Sequence, residues 1–204
     1  MPKQNVSRLQ FLKDTSIIAT GLTFFPGLVS ANIKDTNFGA ALFDGKGLFV
    51  QIVILQKATA IEKQASQELQ KYLLTIPNAV VEIVEDPKSN KSFTISIGQT
   101  KYAQAKKIDF STIEEDGYLR KTDKNEIILV GGIKRGILYA VYDLLDEIGF
   151  KRFGANEVFI PSTLSKEIPK TEKSFNQKIK YRTTSYSQMA PQDYSDWHKL
   201  STRD

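Results

Sequence analysis

Cysteine is absent from the 204 residues, and histidine occurs only once, at His198. Without cysteine the chain can form neither disulfides nor a thiolate nucleophile, so its stability must come from burial. A single histidine excludes a histidine-rich metal site and most Ser-His-Asp arrangements. We therefore assign no catalytic residue, no metal ligand and no cofactor-binding residue, and we expect no cofactor.

Two other features are missing. There is no basic stripe interleaved with aromatic residues, and no uninterrupted apolar run long enough to span a bilayer with confidence. The formal charge of +5 is modest, and most lysines are scattered as on a solvated surface. These absences argue against a nucleic-acid partner and against a stable membrane span. A content of 41% hydrophobic and 25% charged residues is typical of a folded globular protein.

The first 31 residues have the layout of an export signal. A basic segment precedes the apolar run IIATGLTFFPGLVSA, which ends in small residues at Ala31. SRLQFLK, residues 7–13, resembles the twin-arginine signal, except that Leu9 stands where the second arginine belongs. The sequence predicts export to the periplasm or the extracellular space after cleavage near Ala31, with the route left open. A buried N-terminal helix is the alternative, and residues 32–47 are interpreted as a leader.

The remaining chain alternates between strand-like and helix-like patterns. A capping box at Thr59–Glu62 starts a long amphipathic helix that Pro77-Asn78 stops, and a second long apolar stripe runs from Ile133 to Ile148. A short helix is expected over 100–108. The predicted strands are FVQIVIL (49–55), AVVEIVE (79–85), FTISIG (93–98), the hairpin YLRKTDKNEIILV (118–130), FKRF (150–153) and EVFIP (157–161).

This order predicts an α/β (α+β) domain over residues 48–161, with a mixed β-sheet and two main helices packed on it. Because several strands are apolar on both faces, a further segment is expected on the face opposite the two helices. From residue 162 to residue 180 the composition turns to Ser, Thr, Lys, Glu and Pro. That stretch is interpreted as a linker, or as an extended strand that crosses the domain surface.

The segment Gly131–Gly136 (GGIKRG) raises a choice between two interpretations. A phosphate loop needs a G-x-G-x-x-G or Gly-Lys-Ser/Thr pattern, and this segment matches neither. The other interpretation is close packing, in which Gly131 and Gly132 make a tight turn and Gly136 lets the helix approach the sheet. We expect close packing, and a nucleotide-binding domain is kept as the weakest hypothesis.

The same region carries a family resemblance. GGIKRGILYAVYDLLDEIGFKRF, residues 131–153, resembles the N-terminal α/β domain of alpha-glucuronidases and the equivalent non-catalytic domain of beta-hexosaminidases and related bacterial glycoside hydrolases. EKQASQELQKYL, FTISIG, EEDGYLRKT, EIILVGG and EVFIP agree with it in order. The resemblance covers residues 48–182 and implies a fold like the second domain of beta-hexosaminidases.

In those enzymes the α/β domain precedes a (β/α)₈ barrel that supplies the catalytic carboxylates. By resemblance, residues 181–204 are expected to be a truncated start of such a barrel, since about 25 residues cannot build one. The resemblance also implies a substrate-binding role for Arg182, which lies where the first barrel strand would begin. A surface that the barrel normally covers should then be apolar and exposed, which predicts self-association.

Two further groups of residues suggest sugar chemistry. Glu114–Asp116 contains adjacent carboxylates, but glycoside hydrolysis needs two carboxylates that face each other across a cleft. Adjacent side chains in a turn do not have that arrangement, so a solvated turn is expected here. Asp193 and Asp196 lie near Trp197, whose aromatic face could stack on a sugar, but the tail is expected to be exposed coil.

The leading hypothesis is an exported accessory domain of an alpha-glucuronidase-like or hexosaminidase-like glycoside hydrolase, without catalysis by itself. Its expected partners are carbohydrate or a catalytic barrel. The alternative is a stand-alone carbohydrate-binding module that uses an exposed aromatic patch.

Overall fold

The computed structural model describes residues 47–85, 93–162, 168–179, 181–183 and 191–201. All of them belong to the unit Thr36–Asp204. The predicted export signal, residues 1–31, and all but the last residue of the predicted leader lie outside the described residues. Within the described ranges, no helix has both the length and the apolar character needed to cross a bilayer.

A six-stranded mixed sheet forms the centre of the fold, in the order β2-β1-β3-β5-β4-β8. Strands β1, β2, β3 and β5 are parallel, whereas β4 is antiparallel to both of its neighbours. β6 and β7 form a separate antiparallel ribbon. The strands are β1 Leu48–Val53, β2 Ala79–Val84, β3 Phe93–Ile97, β4 Tyr118–Asp123, β5 Glu126–Gly131, β6 Lys151–Arg152, β7 Val158–Phe159 and β8 Glu172–Phe175.

In the described part of the chain, four helices accompany these strands: α1 Ala60–Leu73, α2 Lys101–Ala105, α3 Gly136–Glu147 and α4 Gln192–Trp197. α1 begins where its capping box predicts, because the Glu62 amide donates to Thr59 Oγ1 at 3.3 Å and the Thr59 amide donates to Glu62 Oε2 at 2.8 Å. α1 ends at Leu73, before the predicted stop at Pro77. A 3₁₀ turn spans Phe110–Thr112.

The main core lies between the sheet and the two long helices. Alternate residues of each strand, such as Leu48, Val50 and Ile52 of β1, point to this side, where α1 and α3 also contact each other. α3 is apolar around most of its circumference, and all residues from Gly136 to Tyr142 are buried. The predicted mixed sheet with two main helices packed on it is therefore confirmed.

The described residues cover the opposite face of the sheet only in part. α2 and the 3₁₀ turn pack over β5, where Ala103 meets Ile128 and Val130. Towards the other edge of the sheet, the neighbouring residues Phe49 of β1 and Val80 of β2 are each 48% exposed. Within the described ranges, the expected covering segment lies over β5 but not over this apolar pair.

One detail differs from the predicted pattern, and a second agrees with one of two predicted alternatives. Ile133 was expected to begin the apolar stripe of the second long helix, but α3 begins only at Gly136 and Ile133 is 83% exposed. Residues 172–175, within the stretch interpreted as a linker or a crossing strand, form β8, which pairs with β4 through partners such as Tyr118 and Phe175. The sheet therefore includes a strand beyond residue 161.

Candidate functional site

The glycine segment between β5 and α3 directs its backbone amides into the protein. The Gly132 amide donates to Gly117 O at 2.9 Å, and the Lys134 amide donates to Glu115 O at 2.9 Å. The Arg135 amide donates to Asp116 Oδ1 at 3.1 Å. These three amides bind the turn that precedes β4, so they do not form a cradle for an anion.

The glycines themselves make this packing possible. A Cβ atom on Gly131 would overlap the backbone of Ile137, and one on Gly136 would overlap the carbonyl oxygen of Gly117. The close-packing interpretation agrees with this geometry, with one refinement. The backbone that packs against Gly136 belongs to the turn at residues 114–117, just before β4, and not to the middle of the sheet.

That turn also contains the adjacent carboxylates, and their contacts are structural. Glu115 forms an ion pair with Lys134 at 2.7 Å, while Asp116 accepts the Arg135 amide. The Glu114 amide donates to Asn176 Oδ1 at 3.1 Å. In the described part of the chain, no group of three or more His, Asp and Glu side chains could hold a metal ion.

The C-terminal segment does not form the exposed coil that was expected. Residues 192–197 form α4, which packs on α3 and leaves Trp197 only 6% exposed. The Trp197 ring lies 5.4 Å from the ring of Tyr72 and 5.0 Å from that of Tyr142. A six-residue helix has too few turns to show periodicity, and its stability comes from these tertiary contacts. Trp197 is therefore part of the core, not a sugar-stacking surface.

Two arginines anchor α4 through its acidic residues. Asp196 is 2% exposed and accepts from Arg135 Nη1 at 3.0 Å. Burial raises the pKa of Asp196, and the hydrogen bond from Arg135 opposes that rise. Asp193 accepts from Arg152 Nη1 at 2.8 Å, and Arg152 also donates to Ala155 O at 2.5 Å. Sequence reasoning missed the buried role of Arg152, because FKRF shows no pattern that marks an inward-facing arginine.

A cleft of about 520 Å³ opens beside α4 and is the candidate functional site. It lies where the C-terminal half of α3, the β6–β7 ribbon, β8 and the end of α4 meet. Its lining combines aromatic rings with charged side chains: Tyr142, Asp143, Asp146, Lys151, Arg152, Phe153, Phe175, Arg182, Trp197, His198 and Lys199. Arg182, which the family resemblance nominated, lies in this cleft together with His198, the single histidine.

Arg182 is held in the cleft through its backbone. Its amide donates to Ser201 Oγ at 3.0 Å, and the Ser201 amide donates back to Arg182 O at 2.9 Å. The guanidinium carbon of Arg182 and the Nζ atom of Lys199 each lie 5.6 Å from the centroid of the Phe175 ring. Lys199 carries the unusual positive φ of +55° just after α4, which turns the chain back towards β8.

The charge balance of the cleft is uneven. Asp143 forms ion pairs with Lys173 at 2.7 Å and with Arg120 at 3.3 Å, and Asp146 pairs with Lys151 at 2.8 Å. Among the described residues, Arg182 and Lys199 have no carboxylate within ion-pair distance. The two acids on the lining are therefore neutralised, whereas two cations are not.

Burial also affects the titration of the groups around α4's end. It lowers the pKa of Lys199, with the negative charge of Asp143 acting in the opposite direction. It lowers the pKa of His198 as well, and the ring of His198 lies 4.4 Å from that of Tyr194.

With the α/β fold established, comparison with known proteins identifies the family. The family model described as the N-terminus of glycosyl hydrolase family 67 matches residues 41–144, just over half of the sequence. The chain belongs to this family. The match confirms the resemblance to N-terminal domains of glucuronidase-like glycoside hydrolases.

Two solved structures that resemble the chain are much longer than it is. One is a family GH115 4-O-methyl-alpha-glucuronidase, BtGH115A, with specificity for decorated arabinogalactans; it is 16% identical, with a TM-score of 0.49 over 67% of this chain and 18% of that one. Another is CpGH84D, 14% identical, with a TM-score of 0.39 over 53% of this chain and 18% of that one. The chain thus spans about a fifth of the length of either protein. No curated protein matches it.

Proposed function

We propose that the chain is the accessory domain of a glycoside hydrolase and does not hydrolyse glycosides by itself. Membership in the family 67 N-terminus supports the link to carbohydrate metabolism. The catalytic carboxylates would come from a (β/α)₈ barrel, which is also the proposed protein partner. We further propose that the protein is exported after cleavage near Ala31, since the basic and apolar pattern of residues 1–31 fits a signal peptide.

The state of the carboxylates near the cleft carries this proposal. Glycoside hydrolysis needs an accessible pair, one member protonated and the other ionised, separated by roughly 5–10 Å across the substrate. Asp143 and Asp146 are held in ion pairs with Lys173 and Lys151. Asp196 has the raised pKa of a general acid, but it is buried under α4 and hydrogen bonded to Arg135. None of these three is free to protonate a leaving group.

Turnover measurements test the proposal directly. The purified chain is incubated with aryl glucuronides and aryl N-acetylhexosaminides, and release of the aryl alcohol is followed over hours. We expect no release above that of a D143N/D146N double variant prepared in the same way. Hydrolysis that elutes with the protein and is lost in the double variant would show that the chain is an enzyme.

A stand-alone binding role is the second candidate, and an exposed aromatic residue favours it. Phe153 lies on the cleft lining and is 71% exposed. Lys151 pairs with Phe159 across the β6–β7 ribbon, and Phe153 follows Lys151 by two residues, so the register places Phe153 and Phe159 on the same face. Calorimetry against a panel of oligosaccharides distinguishes this role, because an accessory domain that only supports a barrel should give no heat with any glycan.

A further inference from the structure

We infer that Lys199 is a nucleophilic lysine that binds a small 2-oxo acid covalently, as an imine, while Arg182 holds the carboxylate of that ligand. The bond would form in the cleft beside α4, whose lining includes both side chains. A covalent site for a carbonyl compound is a further activity of the chain, and it does not depend on the accessory role proposed above.

Lys199 differs from the neighbouring lysines because it has no acidic partner. Nζ of Lys151 lies 2.8 Å from Asp146, and Nζ of Lys173 lies 2.7 Å from Asp143. Among the described residues, Lys199 has no carboxylate within ion-pair distance. A carboxylate partner favours the protonated form of a lysine, so the amine of Lys199 is the one that the protein leaves available for reaction.

Arg182 places a second positive charge against the ring that Lys199 approaches. Nζ of Lys199 and the guanidinium carbon of Arg182 each lie 5.6 Å from the centroid of the Phe175 ring. The reciprocal hydrogen bonds between Arg182 and Ser201 hold these two segments together. The ring attracts either cation, but the cations repel each other. Because a guanidinium does not lose its proton in proteins, the repulsion favours the neutral amine of the lysine.

Burial acts in the same direction as this repulsion. It lowers the pKa of Lys199 most, and the positive charges of Lys173 and Arg182 lower it further, whereas Asp143 and Asp146 on α3 oppose the change. Both aspartates are already paired with other lysines. A lysine that has lost part of its hydration beside another cationic group is the kind that forms Schiff bases with carbonyl compounds.

The backbone holds the amine at a defined place on the cleft lining. Lys199 adopts a φ of +55° directly after α4, and its amide donates to Asp196 O at 3.1 Å. The next amide, that of Leu200, donates to Ser195 O at 2.8 Å. Positioning of this kind lowers the entropic cost of bringing two reactants together. The volume of about 520 Å³ is ample for a ligand of a few carbon atoms.

Imine formation is balanced by the loss of water. The lone pair of Lys199 Nζ bonds to the carbonyl carbon, and the carbonyl oxygen leaves as water with the two amine hydrogens, so that C=N replaces C=O. The step consumes neither an oxidant nor a reductant. In a 2-oxo acid the carboxylate is attached to the reacting carbon, and a guanidinium can donate two hydrogen bonds to it. Arg182 therefore favours a 2-oxo acid over a neutral aldehyde.

Reductive trapping on the full chain tests the inference. Glyoxylate, the smallest 2-oxo acid, is added with sodium cyanoborohydride, which reduces an imine to a stable secondary amine, and peptide mass spectrometry follows the labelling of each lysine. Lys151 is the internal control, since it lies on the same lining but is paired with Asp146. Near neutral pH we expect Lys199 to be labelled at least about 10-fold faster than Lys151, because a pKa lower by one unit gives ten times more free amine.

Arg182→Gln tests the contact with the carboxylate. Glycolaldehyde is a neutral aldehyde of the same length as glyoxylate, and labelling of Lys151 corrects for the different reactivities of the two compounds. In the wild type we expect Lys199 to prefer glyoxylate about 10-fold, and R182Q should lose that preference. Lys63→Gln is the matched control, because it removes a positive charge from an exposed position on α1 away from the cleft, and it should keep the preference. Thermal unfolding shows that both variants retain the fold.

Two outcomes would overturn the inference. The first is equal labelling of Lys199 and Lys151 in the wild type, a comparison that needs no variant. The second is a preference for glyoxylate that R182Q retains, or that K63Q loses to the same extent. Either outcome leaves the proposed accessory function intact, because that proposal concerns hydrolysis. Conversely, aryl glycoside turnover would refute the accessory proposal without affecting selective labelling of Lys199.

Discussion

At the scale of single residues, Arg120 in the middle of β4 is the most demanding feature of the fold. Its side chain is 1% exposed, and its guanidinium pairs with Asp143 and Glu147, which lie one turn apart on α3. A buried guanidinium is tolerated only when acidic partners compensate its lost hydration. The pattern YLRKT gives no hint of this, because a strand with alternating polar residues is expected to direct them to solvent.

Replacing Arg120 should therefore lower the free energy of unfolding by an amount that depends on the residue introduced. Arg120→Ala leaves a cavity and leaves Asp143 and Glu147 without their shared partner, and we expect a loss of about 3 kcal/mol in the free energy of unfolding. Arg120→Met fills most of the volume and should cost about half as much. Urea denaturation followed by circular dichroism measures both variants. If alanine and methionine cost the same, the lost charge pairing rather than packing decides the effect.

Asp123, at the end of β4, makes a pH-dependent contribution to the stability of the fold. The Lys124 amide, followed by the side chains of Lys106 and Lys170, stabilises the carboxylate and lowers the pKa of Asp123 to about 2. Because this value lies below the ordinary value of about 4, the contribution is complete above pH 4 and is lost as the pH falls towards 2.

Asp123→Asn should accordingly destabilise the protein by about 1 kcal/mol at pH 7, a discounted value for a partly exposed group. The difference between wild type and variant should shrink between pH 4 and pH 2, and denaturant titrations at several pH values measure it. Asparagine still offers an oxygen to the Lys124 amide, so the charge alone is removed. A difference that stays constant down to pH 2.5 would rule out this linkage.

At the scale of the elements, the junction of β5, α3 and the turn before β4 is the least tolerant of change. Gly136→Ala would place a methyl group on the Gly117 carbonyl, which is backbone and cannot swing away. We expect a loss of at least about 3 kcal/mol in the free energy of unfolding, since small-to-large changes in tight packing strain the backbone.

Gly154→Ala is the matched control for Gly136→Ala. The nearest atom to its new Cβ would be a side-chain oxygen of Glu157 at 3.5 Å, an ordinary contact. Its cost should stay within about 0.5 kcal/mol, the range of surface substitutions. Thermal and urea unfolding of the two variants compare them directly. Equal stability of G136A and G154A would show that α3 can shift, and that close packing does not fix the glycine.

The elements that were predictable from the sequence are those whose own residues determine them. α1 follows from its capping box and its four-residue apolar repeat, and β5 follows from a buried apolar run after a turn. α4 and β8 are determined by distant partners: Trp197 by Tyr72 and Tyr142, and β8 by the free edge of β4. Short segments of this kind carry no periodic signal, so sequence patterns assign them to coil or linker.

At the scale of the whole molecule, the residues of the candidate site divide in the same way. Some are indicated by the sequence, and others are brought together only by the tertiary structure. The family resemblance points to Arg182, but no sequence pattern marks Lys199, Phe175 or Phe153 as residues of a site. These residues lie on three separate segments, and only the docking of α4 and the pairing of β8 bring them together. A site assembled from several short segments depends on tertiary structure, so one sequence without that structure reveals at most a part of it.

The uncovered part of the sheet leads to a prediction about association in solution. Phe49 and Val80 are cross-strand partners, each 48% exposed, and β2 is an edge strand of the sheet that the described residues form. An apolar pair beside a free edge is a favourable contact for a second copy. We therefore expect the chain to self-associate as its concentration rises, and F49S/V80T to shift it towards monomer.

Sedimentation velocity over a concentration series measures this shift. Phe159→Ser is the matched control, because Phe159 is similarly exposed but lies on the β6–β7 ribbon rather than on the sheet. If F159S reduces association as much as F49S/V80T does, general surface apolarity is responsible and the sheet face is not the contact. A wild-type chain that remains a single monomeric species at high concentration would show that two exposed apolar residues beside an open edge are too few to hold a second copy.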